Sequence, residues 1–261
     1  MIEEGQPILI ASNVSKYFGG VRALERVSVA VPESRIVGLI GPNGSGKTTL
    51  FNVITGFYVP DEGEVLYRTS NEGFISIDGL NPHEVFKLGI ARTFQIPKLF
   101  PSLTVLENLT ITPVNQLGEG ILNAIRWGTW LNEEKALVKK AVNILTEFGK
   151  LDIALKYPSE LSVADIKLVE TLRGLMTSAR VYLLDEPLAG LDLPTARSLL
   201  KFIKELKNTY RLTFFVIEHR IDLLMEIVDY VYVLHNGRLL ASGEPAEVMN
   251  NSDVIKAYVG E

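Results

Sequence analysis

The chain has 261 residues, 47% of them hydrophobic, with a formal net charge of −5 and no cysteine. That length and apolar content suit one large domain, or one domain with a subdomain. The missing cysteines exclude disulfides, thiolate nucleophiles and cysteine metal sites. An acidic chain without a basic block is unsuited to nucleic acid, and the three histidines, His83, His219 and His235, are too few for a dedicated zinc site. Met1-Ile2-Glu3-Glu4 is acidic with no apolar stretch behind it, so it does not read as a signal peptide. No run approaches the ~18 apolar residues of a membrane span. The expectation is a soluble intracellular protein that can still dock on a membrane partner.

Residues 8–18 read as a strand running into Gly19-Gly20, and residues 27–31 as a second strand of an antiparallel piece. Phe18, just before the glycines, is placed to stack on a purine, with Tyr17 as the alternative; alone it would read as a core aromatic. The apolar run 36–40 reads as a buried strand. It feeds Gly41-Pro42-Asn43-Gly44-Ser45-Gly46-Lys47-Thr48, and a helix follows from Thr49 to Thr55. The stretch fits Gly, any four residues, Gly-Lys-Ser/Thr, in the strand–loop–helix setting that a P-loop needs. Glycines let successive N–H groups curl inward at phosphate oxygens, and the helix start adds its dipole. Lys47 supplies a mobile charge for the β- and γ-phosphates, and Thr48 a hydroxyl for Mg²⁺.

Beyond a turn at 60–63, residues 64–68 and 74–78 read as short strands around a polar loop at 69–73 that carries no chemistry. A short helix is expected at 82–88 and a short strand at 91–94, ending at Gln95. Residues 104–178 are mostly helix-like, so a helical subdomain is expected at roughly 105–178 within a single domain spanning 1–261. Lys135, Lys139 and Lys140 read there as a solvated face, and Trp127 and Trp130 as packing. A break at 158–160 precedes a helix at 163–176. The apolar strand 181–184 ends in Asp185-Glu186-Pro187; a helix at 195–208 leads to the buried strand 213–217, which ends in Glu218-His219. A helix at 222–228, a hairpin turning at His235-Asn236-Gly237 and two short helices, at 245–249 and 253–259, complete the chain.

Strands alternating with helices give a largely parallel α/β sheet, whose ligands bind at the carboxyl ends of the strands. The P-loop, Gln95, Asp185-Glu186 and His219 follow four such strands and can converge on one nucleotide. Asp185 is a Mg²⁺ position. Glu186 can polarise the attacking water, Gln95 can touch both metal and water, and His219 can hold the γ-phosphate. Each has a bland reading by itself, as a turn exit or a satisfied histidine; the ordered set does not.

These residues, with Ser15-Lys16-Tyr17-Phe18-Gly19-Gly20, Gly89-Ile90-Ala91-Arg92-Thr93-Phe94-Gln95 and Leu103-Thr104-Val105-Leu106-Glu107-Asn108-Leu109, resemble the ATP-binding subunit of an ABC transporter. Ala189-Gly190-Leu191-Asp192, Val216-Ile217-Glu218-His219 and the tail Val254-Ile255-Lys256-Ala257-Tyr258-Val259-Gly260 continue the match, which over nearly the whole chain is most similar to the LivG-type subunits of branched-chain amino acid importers. The resemblance implies a P-loop NTPase core with an antiparallel β subdomain and a helical subdomain, binding ATP and Mg²⁺ and hydrolysing ATP. It implies a head-to-tail dimer with a second such subunit, Asp192 crossing the interface. It further implies transmembrane permease subunits docked near residues 95–103, an extracytoplasmic solute-binding protein as an indirect partner, and a place on the inner face of the cell membrane. The competing readings are a nucleotide-binding subunit with little hydrolysis and a cassette working outside transport.

One stretch departs from the family. Where the signature reads Leu-Ser-Gly-Gly-Gln, this chain has Leu161-Ser162-Val163-Ala164-Asp165. By resemblance Ser162 binds the partner's γ-phosphate at a helix N-terminus. Val163 and Ala164 add side chains there, and Asp165 adds a negative charge; ~6 Å from a phosphate charge at a dielectric of ~20 it costs roughly 3 kcal/mol. Alternatively, Asp165 folds back on the N-cap N–H as a capping box. The departure favours a heterodimer over a homodimer.

Overall fold

The computed structural model describes residues 5–69, 73–93, 98–113, 127–177 and 179–259, without the side chains of 127–130 and 259. The chain divides into two compact units, one of Met1–Gln95 with Arg180–Glu261, the other Ile96–Ala179.

The first unit is built on two sheets. Strands β1 (Pro7–Phe18), β2 (Val21–Pro32), β4 (Glu62–Thr69) and β5 (Gly73–Ser76) form an antiparallel sheet in the order β2-β1-β4-β5. Strands β3 (Ile36–Ile40), β6 (Ile90–Arg92), β7 (Val181–Asp185), β8 (Thr213–Ile217), β9 (Tyr230–His235) and β10 (Arg238–Gly243) form a second sheet, ordered β10-β9-β3-β8-β7-β6. Only the β9–β10 pair in it is antiparallel. Every residue of β3, β7 and β8 is buried, which is why these strands appear in the sequence as unbroken apolar runs. Strand β2 starts well before the expected residue 27, because its first half, where Arg22, Glu25 and Arg26 interrupt the apolar residues, is held by pairing, Phe18 opposite Val21 and Tyr17 opposite Arg22.

Helices α1 (Lys47–Ile54), α2 (Pro82–Lys87), α6 (Leu193–Tyr210), α7 (Ile221–Leu224), α8 (Pro245–Met249) and α9 (Ser252–Val259) belong to this unit. Asp192 caps α6 by accepting from the Thr195 N–H at 3.1 Å. Helix α7 is shorter than the expected 222–228. After Met225 the ladder tightens to three-residue bonds, Glu226 N–H to Leu223 and Ile227 N–H to Leu224, before Val228 N–H returns to the Leu224 carbonyl, and these tighter turns end the α-helix. They set Leu224 and Val228 against Gly38 of β3, where an added Cβ would lie 3.2 Å from Leu224 Cδ2.

The second unit contains α3 (Val105–Thr110), α4 (Trp127–Glu147) and α5 (Val163–Met176), with short 3-10 turns at Leu151–Ile153 and Pro158–Glu160. Its core includes Ala141, Leu145, Leu168, Val169 and Leu172. The residues at 104–108 that carry part of the family resemblance have a structural task. Thr104 and Glu107 form a capping box, and the fully buried Asn108 amide donates to the carbonyls of Phe100, Leu103 and Thr104. Lys140 is exposed, as expected of a solvated face, and from there it donates to the Met176 carbonyl at 3.2 Å, satisfying the end of α5 as a basic side chain does at a helix C-terminus.

Candidate functional site

The loop between β3 and α1 is shaped by glycines with distinct tasks. A Cβ on Gly41 (φ 150°) would sit 2.1 Å from the Leu234 carbonyl oxygen, and one on Gly46 (φ 105°) 2.6 Å from the Ala23 carbonyl oxygen. Both therefore permit close backbone approach. Gly44 (φ 75°) faces open space and is needed only for its left-handed conformation. The hairpin turn of β9–β10 supports the loop from behind: Gly237 N–H donates to the Ser45 carbonyl at 3.1 Å, and Glu25 N–H to the Gly237 carbonyl at 2.7 Å. Asn236 and Gly237 both have positive φ, the two-residue turn that matches strand twist. Lys47 is buried, and its Nζ donates to the Gly41 and Pro42 carbonyls at 2.7 and 2.9 Å. Burial lowers its pKa, while the nearby carboxylates of Glu186 and Asp185 push the other way.

A cleft of about 430 Å³ opens over this loop. Asn43, Gly44, Ser45, Gly46, Lys47, Thr48 and Thr49 line its floor, and Glu186 and His219 line it from the ends of β7 and β8. Glu186 has φ 52°, a left-handed conformation uncommon outside glycine. It is held there by its N–H donating to the Ile217 carbonyl at 2.9 Å. Its Oε1 lies 2.9 Å from His219 Nε2. Beneath them Glu218, almost fully buried, accepts from the backbone N–H groups of Leu188 and His219. One carboxylate thus staples together the two loops that carry Glu186 and His219.

Asp185 is buried at the end of β7 and does not line the cleft; its Oδ2 accepts from Arg92 Nη2 at 2.8 Å. Its charge is nonetheless felt at Lys47. Thr48 and Asp185 supply a hydroxyl and a carboxylate, the hard oxygen donors that suit Mg²⁺ held through one or two protein groups plus phosphate. The cleft can therefore hold a phosphate chain on N–H groups and Lys47, admit a hard cation at Thr48, and present the Glu186 carboxylate to the same space.

Other expected residues lie elsewhere or outside the described residues. Phe18 is exposed at the end of β1, its ring 5.1 Å from that of Tyr58, and is not among the cleft's lining residues. Tyr17 lines a separate groove of about 550 Å³ with Gly19, Gly20 and Arg22, and Arg22 also lines the cleft. Gln95 lies outside the described residues, as do the side chains of Trp127 and Trp130.

Ser162 belongs to the second unit, as the N-cap of α5. Its hydroxyl accepts from Asp165 N–H at 3.1 Å and donates to Asp165 Oδ2 at 2.6 Å. Two expectations are corrected here. Asp165 folds back on the Ser162 hydroxyl and not on its backbone N–H. Its charge is also not bare, because Lys150 Nζ donates to Oδ1 at 2.7 Å. Burial raises the Asp165 pKa, but the hydrogen bonds from Lys150 and Ser162 and the Lys150 charge outweigh this and hold it below the usual carboxylate value. Lys150 is fixed by the close of α4, where Gly149 takes φ 63° and Lys150 N–H donates to the Leu145 carbonyl. Arg92, Glu218 and Lys150 are residues to which the sequence assigns no role. Arg92 did carry a signal, a charge directly after the apolar pair Ile90-Ala91 in a short strand. Lys150, one lysine among many, carried none.

The family model for ABC transporters matches residues 24–189, and that for the branched-chain amino acid ATP-binding cassette transporter matches residues 238–261. The chain is 41% identical to a probable branched-chain amino acid transport ATP-binding protein, LivG, of Archaeoglobus fulgidus, over 97% of this chain and 95% of that one. Among solved structures, it resembles the ADP conformation of MJ1267, an ATP-binding cassette of an ABC transporter, with a TM-score of 0.82, 38% identity, and coverage of 98% of this chain and 100% of that one. It also resembles a dimeric post-hydrolysis state of the cassette MJ0796 bound to ADP and Pi, with a TM-score of 0.71, 26% identity, and coverage of 91% and 98%.

Proposed function

The chain belongs to the ABC transporter family, and from that membership we propose that it is the ATP-hydrolysing subunit of a membrane importer for branched-chain amino acids. The names borne by its full-length relative and by the model matched at residues 238–261 support that solute class. The subunit pairs with a second cassette, uses Mg²⁺, and drives transmembrane permease subunits from the inner face of the cell membrane. An extracytoplasmic solute-binding protein acts on it only through the permease. The loop N–H groups and Lys47 hold the β- and γ-phosphates, Thr48 and Asp185 the metal, and Phe18 the base. Glu186 polarises water, Gln95 touches both the metal and that water, and His219 holds the γ-phosphate.

The observation that carries this reading is the 2.9 Å contact of Glu186 with His219 in one cleft with Lys47 and Thr48. A positioned general base contributes at least about 100-fold. Glu186→Gln should therefore retain ATP binding while kcat falls by at least about that factor. Hydrolysis at the unaltered rate would overturn the assignment.

A heterodimer is the favoured pairing. The Ser162 hydroxyl proton is committed to Asp165, and Val163 and Ala164 stand where the family has glycine. The same commitment favours, as a second reading, a subunit that loads ATP and turns it over slowly. Nucleotide occupancy measured beside hydrolysis separates the two.

A further inference from the structure

The Arg92 guanidinium is buried in the first unit, with 6% of its side chain exposed against 7% for Asp185. It joins three elements. From β6 it donates through Nη2 to Asp185 Oδ2 at the end of β7, at 2.8 Å, and through Nη1 to Asn52 Oδ1 and Thr55 Oγ1 at the end of α1, at 2.6 and 3.1 Å. The rings of Phe51 and Phe57 lie 5.6 and 5.9 Å from it. The planar fork of an arginine can serve a carboxylate and two neutral acceptors at once; a lysine cannot reproduce that geometry. The backbone at Asn52 is itself held, because its main-chain carbonyl accepts from the N–H groups of Phe57 and Tyr58. The guanidinium is therefore anchored independently of Asp185.

We propose that Arg92 is a positioning residue for Asp185, holding Oδ2 so that the remaining carboxylate oxygen, Oδ1, is presented to the divalent cation of the bound nucleotide. The proposal rests on the nucleotide-site reading above. It adds a named partner for the metal position: α1, which begins in the phosphate-binding loop, and β7, which carries Asp185, are registered to one another through Arg92. Groups that orient a metal ligand typically contribute 10- to 100-fold to metal affinity.

The test uses the full chain and a fluorescent ATP analogue, titrated with EDTA present and then with rising Mg²⁺. Arg92→Met should bind the analogue in EDTA within about twofold of the unsubstituted chain, while half-saturating Mg²⁺ rises about tenfold. Arg92→Lys should fall between. Asn52→Ala, which keeps the guanidinium and removes an anchor, should shift the Mg²⁺ dependence the same way by about threefold. If Arg92→Met folds poorly, Asn52→Ala and Arg92→Lys still decide. An unchanged Mg²⁺ midpoint in folded variants, with only a lower melting temperature, would overturn the proposal and leave Arg92 a structural residue. Failure of the unsubstituted chain to bind the analogue would instead remove the nucleotide-site reading.

Discussion

At the scale of single residues, the decisive contact is the one that sequence spacing could not show. Asp165 at the start of α5 implies a local negative charge, yet Lys150 stands 2.7 Å from it and Ser162 donates to its other oxygen. The pair is part-exposed, with 34% of the lysine and 18% of the aspartate side chain accessible. Lys150→Met should therefore cost no more than about 1 kcal/mol at pH 7. Its pH dependence follows from the lowered folded-state pKa of Asp165. A depressed carboxylate contributes stability above its unfolded value, about 3.9, and loses it as pH falls through the folded value. Urea midpoints of the two proteins should therefore differ at pH 7 and pH 5 and converge at still lower pH. A difference that grew on acidification would contradict the ion pair. Glu218 shows the same limit of sequence reading from another side. It reads as half of a Glu-His strand exit, while the fold makes it the buried acceptor that sets the two loops of the cleft.

At the scale of elements, the phosphate-binding loop separates two uses of glycine, and the separation is measurable. Gly41→Ala forces a Cβ to 2.1 Å from a backbone oxygen of β9, so strand and loop must part. Nucleotide binding should be lost and the melting temperature should fall. Gly44→Ala meets nothing within 4 Å and carries only the left-handed backbone cost, of about 1–2 kcal/mol. It should fold with weakened binding. Equal effects of the two substitutions in thermal melts and nucleotide titrations would mean that the loop is not packed on β9 as described. The contrast also explains what was legible. Buried parallel strands are apolar runs, so β3, β7 and β8 and the residues following them were readable. Elements specified by partners were not: the first half of β2 breaks its apolar pattern with Arg22, Glu25 and Arg26 and is held by pairing with β1, and α7 ends early because its last turn tightens over Gly38. The P-loop, Glu186 and His219 were legible from order along the chain. Arg92's engagement of Asp185 needed the pairing of β6 with β7, Arg92 opposite Leu183.

At the scale of the whole molecule, the altered signature bears on which partner this cassette takes. If its own α5 start serves a partner's nucleotide poorly, copies of this chain alone should turn over slowly, with a rate per chain that hardly rises with concentration. Replacing Val163, Ala164 and Asp165 by Gly, Gly and Gln should make the rate per chain rise with concentration, and Glu186→Gln in that background should abolish the rise. The substitution is not free of structural cost. Two glycines in a first helical turn lose at most about 1 kcal/mol each, the helix-interior cost measured against alanine, and removing Asp165 forfeits about 0.3–1 kcal/mol of favourable interaction with the helix dipole. It also releases Lys150, whose ammonium would then stand near the start of α5 and could attract phosphate by charge alone. The comparison therefore needs the restored chain with and without Lys150→Met. Activity gained in both would assign the effect to the signature backbone. Activity gained only with Lys150 present would assign it to the freed cation. No gain in either, with melting temperatures still above the assay temperature, would remove the signature as the reason for preferring a heterodimer.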